Sequence, residues 1–78
     1  MSYLYFNELN TELKTRRWEV MSVAQETVLG HVRFWSAWRK YVFAPHDRTL
    51  YDADCLQEIT DFCQEQTRVW RNEVQARK

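Results

Sequence analysis

Four side chains in this chain have the chemistry of metal ligands or nucleophiles: His31, His46, Cys55 and Cys63. Their spacing does not bring them together. Cys55 and Cys63 are eight residues apart, and on one helix that separation is about 12 Å along the axis. Two ligands of one zinc must each reach within about 2.3 Å of the metal, so the pair cannot share an ion. The same separation excludes a disulfide between them. As small apolar residues on a helix stripe the thiols read as packing groups. Cys55 lies near a helix N-terminus, which favours a thiolate, but Asp52 and Asp54 oppose that effect. The serines Ser2, Ser22 and Ser36 lack a nucleophile-elbow context, and a single glycine, Gly30, precludes a glycine-rich phosphate loop. A chain of 78 residues also lacks the mass for a pocket of about 300 Å³ beside a full core. The expectation is no enzyme, no metal and no cofactor.

Two other groupings suit binding. Arg33, Trp35, Trp38, Arg39, Lys40 and Tyr41 interleave cations with aromatic rings. Such groups neutralise phosphates and stack on bases, so Arg33, Trp35, Arg39, Lys40 and Tyr41 form a candidate nucleic-acid surface. Tryptophan in such positions also fills cores and protein interfaces. Asp54, Glu58, Asp61 and Glu65 recur at steps of four, three and four, a row of carboxylates along one helix face. A row of this kind imitates a phosphate backbone, although a solvated helix face has the same pattern.

Composition sets the outer bounds. Eleven basic and eleven acidic residues cancel, which argues against a basic nucleic-acid coat or a polybasic membrane anchor. The charge is uneven, with seven basic and five acidic residues in 1–48 and four basic and six acidic in 49–78. The length fits one small domain over residues 1–78. With aromatics at 15%, twelve rings can fill the compact core that so short a chain must build. No apolar run approaches the roughly 20 residues that cross a bilayer. The first residues lack the basic flank of a signal peptide, so a cytoplasmic location with reduced thiols is expected.

The elements that would position these groups follow from periodicity. Residues 16–23 alternate charged with aromatic and β-branched side chains and read as a strand. Residues 24–27 reverse the chain, and 28–35 form a second strand in which Gly30 marks a bulge or a close backbone approach. Ser36, Ala37 and Trp38 make a short connection. Residues 39–44 form a third strand stopped by Pro45. Short links between consecutive strands give an antiparallel meander over 16–44. Residues 1–13 are an N-terminal arm or an edge strand. Asp52 can cap a helix over 52–75, with Cys55, Leu56, Ile59, Phe62, Cys63, Gln66, Trp70 and Val74 on one face.

The fold class expected is therefore α+β: a three-stranded antiparallel meander, four-stranded if the arm joins it, packed against one long C-terminal helix. Val32, Phe34, Val42 and part of Trp18 and Val20 are assigned to the helix side. Arg33, Trp35, Arg39, Tyr41 and Phe43 are assigned to the opposite face, an assignment that a one-residue slip would invert. The helix is roughly 33 Å long and a six-residue strand about 20 Å. Val69, Trp70 and Val74 are thus expected to overhang, either meeting a partner or a second copy in a homodimer through this helix, or being covered by the folded-back arm.

Leu29-Gly30-His31-Val32-Arg33-Phe34-Trp35 and Trp38-Arg39-Lys40-Tyr41-Val42-Phe43-Ala44-Pro45, with Thr49-Leu50-Tyr51, Cys55-Leu56, Glu58-Ile59 and Asp61-Phe62, carry a resemblance. Over about residues 16–67 the chain resembles a small uncharacterised domain family of bacteriophage and prophage genomes, marked by a Trp-Arg-x-Tyr-x-Phe-x-Pro strand and a Cys-Leu helix. The resemblance implies a viral origin, the host bacterial cytoplasm and no catalytic motif. The combined expectation is a non-enzymatic phage-encoded module that binds, and as one form inhibits, a bacterial host or antiviral-defence protein. Its contacts would be Asp54, Glu58, Asp61, Glu65, Trp70, Val74, Trp35, Trp38 and Arg39. The alternative is the small nucleic-acid-binding domain above.

Overall fold

The structure is a computed structural model that describes residues 3–9 and 15–76. Part of the N-terminal arm, and Arg77 and Lys78 at the C-terminus, lie outside the described residues. Four strands, β1 (Leu4–Leu9), β2 (Arg17–Ser22), β3 (Val28–Trp35) and β4 (Lys40–Pro45), precede one helix, α1 (Ala53–Ala76). The strands form one open antiparallel sheet in the order β1-β2-β3-β4. Leu4–Leu9 of the arm thus form an edge strand, so the meander has four members. Its Phe6 lies flat on Phe62 of α1, with ring centroids 3.9 Å apart.

The helix starts where its cap predicts. The Cys55 backbone N–H donates to an Asp52 carboxylate oxygen at 2.8 Å, satisfying one of the donors that a first turn leaves unpaired. That bond also holds the Asp52 carboxyl below its ordinary range. One face of α1 then settles on the sheet through rings. Phe62 meets Trp18 edge-on at 5.0 Å, Trp18 meets Tyr41 at 5.4 Å, Tyr41 meets Phe34 at 5.4 Å, and Phe34 meets Trp70 at 4.7 Å. With Phe6 this is a continuous run of six rings. Val20 and Val32 are fully buried beneath it, and Leu4 and Ile59 close the core. Edge-to-face pairs add to the stabilisation from burial itself.

Trp70 consequently lies on the sheet and is not part of an overhang. The expected shortfall narrows to about 10 Å, because β3 is eight residues long and spans about 26 Å against about 36 Å for the 24 residues of α1. The helix extends only about 9 Å beyond Trp70. Arg16, at the entry to β2, sits beside Val69, Trp70 and Glu73, and its N–H donates to the Tyr41 hydroxyl at 3.2 Å.

The face assignment of β4 is corrected by one residue. The connection from β3 has four residues, not three, because Arg39 is held at φ 54° in a left-handed turn conformation. Trp38 and Arg39 N–H groups donate to the Trp35 and Ser36 carbonyls, and pairing begins at Trp35↔Lys40. Tyr41 and Phe43 therefore pack under the helix, Tyr41 with only 7% of its surface exposed. Val42 takes the helix-free face. Arg39 belongs to the turn and to neither face of the sheet.

Gly30 serves both functions that its place in a strand suggests. Val20 pairs with Gly30 and Met21 with Val28, so Leu29 is the extra residue of a bulge. A Cβ on Gly30 would lie 2.5 Å from the Ala44 carbonyl oxygen and 2.8 Å from the Phe43 ring. The Leu29 carbonyl accepts the His46 N–H at 2.9 Å and the Tyr51 hydroxyl at 2.8 Å, tying the β4–α1 connection to the bulge.

Candidate functional site

The ends of the strands define two ends of the molecule. At one end lie Leu4, Ser22, Leu29 and the first turn of α1. At the other lie Arg17, Arg33, the β3–β4 turn and the C-terminal half of α1.

At the first end, Tyr3, Leu4, Ser22, Val23, Ala24, Gln25, Leu29, Leu50 and Cys55 line a cleft of about 390 Å³. A second groove of about 490 Å³ runs between β4 and the later turns of α1 and includes Lys40, Thr67, Arg68, Arg71 and Asn72. Both exceed the volume that the chain's length led us to expect. Stacked aromatic rings hold α1 away from the sheet, so its flanks stay open while the centre is filled.

The cleft is apolar and its apolar groups are left in water. Leu50 is 91% exposed, and Tyr3 and Val23 are each about half exposed. The Val23 N–H donates to the Tyr3 carbonyl at 3.1 Å, which joins two walls. The Tyr3 N–H donates to a Glu58 carboxylate oxygen at 3.2 Å, bringing that carboxylate to the rim. Asp52 and Asp54 stand at the adjoining helix terminus. Among the described residues no lysine or arginine lines the cleft.

The row of four carboxylates is only partly free. Glu58 bonds Tyr3, Asp61 accepts from the Gln57 amide at 2.8 Å, and Glu65 forms an ion pair with Arg68 that lowers the carboxyl pKa. The structure therefore brings Glu58 to the cleft through Tyr3 and leaves Asp54 in the first turn of α1 and Asp61 and Glu65 further along the helix. Trp70 is enclosed against Phe34, and Val74 is half-buried in the last turns.

At the other end, Trp35 and Trp38 meet edge-on at 6.3 Å, and the Arg33 guanidinium lies 5.6 Å from the Trp35 ring centroid. Arg33, Trp35 and Lys40 share the helix-free face, as the register requires. Tyr41 is removed from this set, because its ring is in the core.

Both thiols are shifted towards the protonated form. Burial pushes Cys63 up to about 11, and burial together with the Asp52 carboxylate raises Cys55. His31 Nδ1 and His46 Nε2 lie 3.3 Å apart across the edge of β3 and β4. Among the described residues no three His, Cys, Asp or Glu side chains converge, and no helix is long and apolar enough to cross a membrane.

Sequence reading missed Tyr3, Val23 and Leu50, and it placed Leu56 on the packed helix face, whereas Leu56 is 49% exposed. Leu50 carried a signal, being an apolar residue in the polar run before the helix cap. Tyr3 and Val23 become neighbours only through tertiary packing. Arg17 was also missed, although alternation with the core residue Trp18 places it on the face of Arg33. No family model, curated protein or solved structure matches this chain.

Proposed function

We propose that this chain is a small non-enzymatic protein-binding module whose contact site is the cleft between Tyr3, Val23, Leu50 and the first turn of α1. The observation that carries the reading is the clustering of exposed apolar groups around a carboxylate-rimmed cleft. One exposed leucine is ordinary on a protein surface. Three exposed apolar side chains, Tyr3, Val23 and Leu50, gathered around a concavity form the kind of patch that binding buries. Asp52 and Glu58, bonded to the lining residues Cys55 and Tyr3, select a partner segment with an apolar anchor flanked by lysine or arginine.

The raised thiol pKa values support binding over catalysis, because protonated thiols are poor nucleophiles at neutral pH. The resemblance to a bacteriophage domain points to a bacterial host protein as the partner, with inhibition as the consequence of occupying its surface. Homodimerisation through α1 is less favoured as the contact, because the helix beyond Trp70 offers mainly Val74 as apolar surface.

The test uses the full chain as bait in a bacterial lysate, beside Leu50→Asp and Trp35→Ala. Leu50 is so exposed that its substitution leaves folding within about 0.5 kcal/mol. A bacterial protein held by the wild type and Trp35→Ala but lost with Leu50→Asp supports the proposal. Equal capture by all three baits, or no capture, refutes it.

A further inference from the structure

The helix-free face of the sheet carries a charge problem that the fold does not solve internally. Arg17 and Arg33 are direct cross-strand partners. Trp18 and Val32 beside them are buried under the helix, so both arginines project to the opposite side. Like charges directly opposite on one face repel. Lys40, paired with Trp35 one step away, adds a third cation. The nearest carboxylate on this face, Glu19, accepts from the Asn7 amide at 3.3 Å, and among the described residues the sole ion pair is Arg68–Glu65 on the helix. Three cations thus share a surface in a chain of zero net charge.

Aromatic rings flank this cationic strip. Trp35, 41% exposed, lies beyond Arg33, and Tyr5, 44% exposed, faces the same side near the other end of β1. From Tyr5 to Trp35 the path crosses about six residue steps and two strand spacings, roughly 22 Å. That is comparable with the shortest stretch tracked by sheet-based single-strand binders, about four nucleotides. Arg33 rests beside the Trp35 ring, and a guanidinium held so keeps donors for a phosphate oxygen.

We propose that this face binds a short single-stranded nucleic acid, with Arg17, Arg33 and Lys40 on successive phosphates and Trp35 and Tyr5 stacked on bases. Charge complementarity selects a polyanion, and the exposed rings select one whose bases are unpaired. The face lies away from the cleft of the protein-binding proposal, so either proposal can fail without the other.

The test titrates the full chain into fluorescein-labelled oligo-dT and oligo-U of about a dozen nucleotides, reading anisotropy across salt. Three phosphate contacts give a slope of log K against log salt of about −2. Arg33→Gln reduces that slope by about 0.7. Trp35→Ala weakens binding about tenfold and leaves the slope unchanged. Leu50→Asp binds as the wild type does. Preference for oligo-U over oligo-dT, or the reverse, names the natural polymer. Absence of binding at low salt, unaltered binding by Trp35→Ala, or equal displacement by inorganic polyphosphate overturns the proposal. So does light scattering that shows the face pairing two protein chains while the oligonucleotide stays free.

Discussion

Thr67 joins the helix to the sheet edge, and its replacement by valine removes the two hydrogen bonds of one hydroxyl. Its Oγ1 accepts the Tyr41 backbone N–H at 3.0 Å and donates to the Cys63 carbonyl at 2.8 Å. β4 is an edge strand, so Tyr41 N–H has no strand partner on that side. Valine keeps the shape and β-branching of threonine and changes helix propensity little. Thr67→Val therefore leaves a partly buried donor unpaired, at a cost of about 1–3 kcal/mol. Relief of the bond that threonine makes to its own helix offsets a little of that, so we expect a loss of about 1.5 kcal/mol. For 78 residues the unfolding entropy is about 160 cal/mol/K, which converts the loss to a fall in Tm of about 9 °C. The assay is thermal unfolding by circular dichroism for wild type, Thr67→Val and Thr67→Ser, with amide exchange of Tyr41 as the local readout. Serine restores most of the stability, and only valine accelerates exchange at Tyr41. A Thr67→Val protein that melts with the wild type and keeps Tyr41 protected would refute the role assigned to this bond.

Gly30→Ala forces a methyl group against the Ala44 carbonyl and the Phe43 ring. The closest atom is backbone, so the loss should reach about 3 kcal/mol, the upper range for overpacking, measured by urea unfolding. Phe62→Ala removes the ring between Phe6 and Trp18 and should cost about 3–5 kcal/mol. A domain of this length holds only about 4–12 kcal/mol in total, so the variant should be partly unfolded by near-ultraviolet dichroism while Phe62→Leu stays folded. The Asp52 carboxyl is depressed in the folded state. Its contribution is present above the ordinary carboxylate pKa of 3.8 and is lost as pH falls through the lower folded value. Melting curves should therefore show a larger acid-induced fall in Tm for the wild type than for Asp52→Asn below about pH 4.

The helix and its cap were legible because their signals are local. Asp52 reaches only three residues to Cys55, and the apolar stripe repeats at the helix's own period. The alternation of β2 and β3 was legible for the same reason, and Gly30 announced the bulge beside it. The face of β4 was not. It turned on Arg39 entering a left-handed turn, one added residue that reverses every side chain after it. Burial of Tyr41 and release of Val42 follow from that single step.

By itself the sequence determined the α+β class, the order of elements and the stretch of chain rich in cations and rings. Only the tertiary structure decided which of those groups face water together. Tyr3, Val23, Leu50 and Cys55 form one cleft although some 50 residues separate the first from the last, and Arg17 meets Arg33 through strand register. Periodicity is written into neighbours along the chain. The meeting of distant residues depends on turn length, bulges and the fit of rings in the core, which no short stretch of sequence contains.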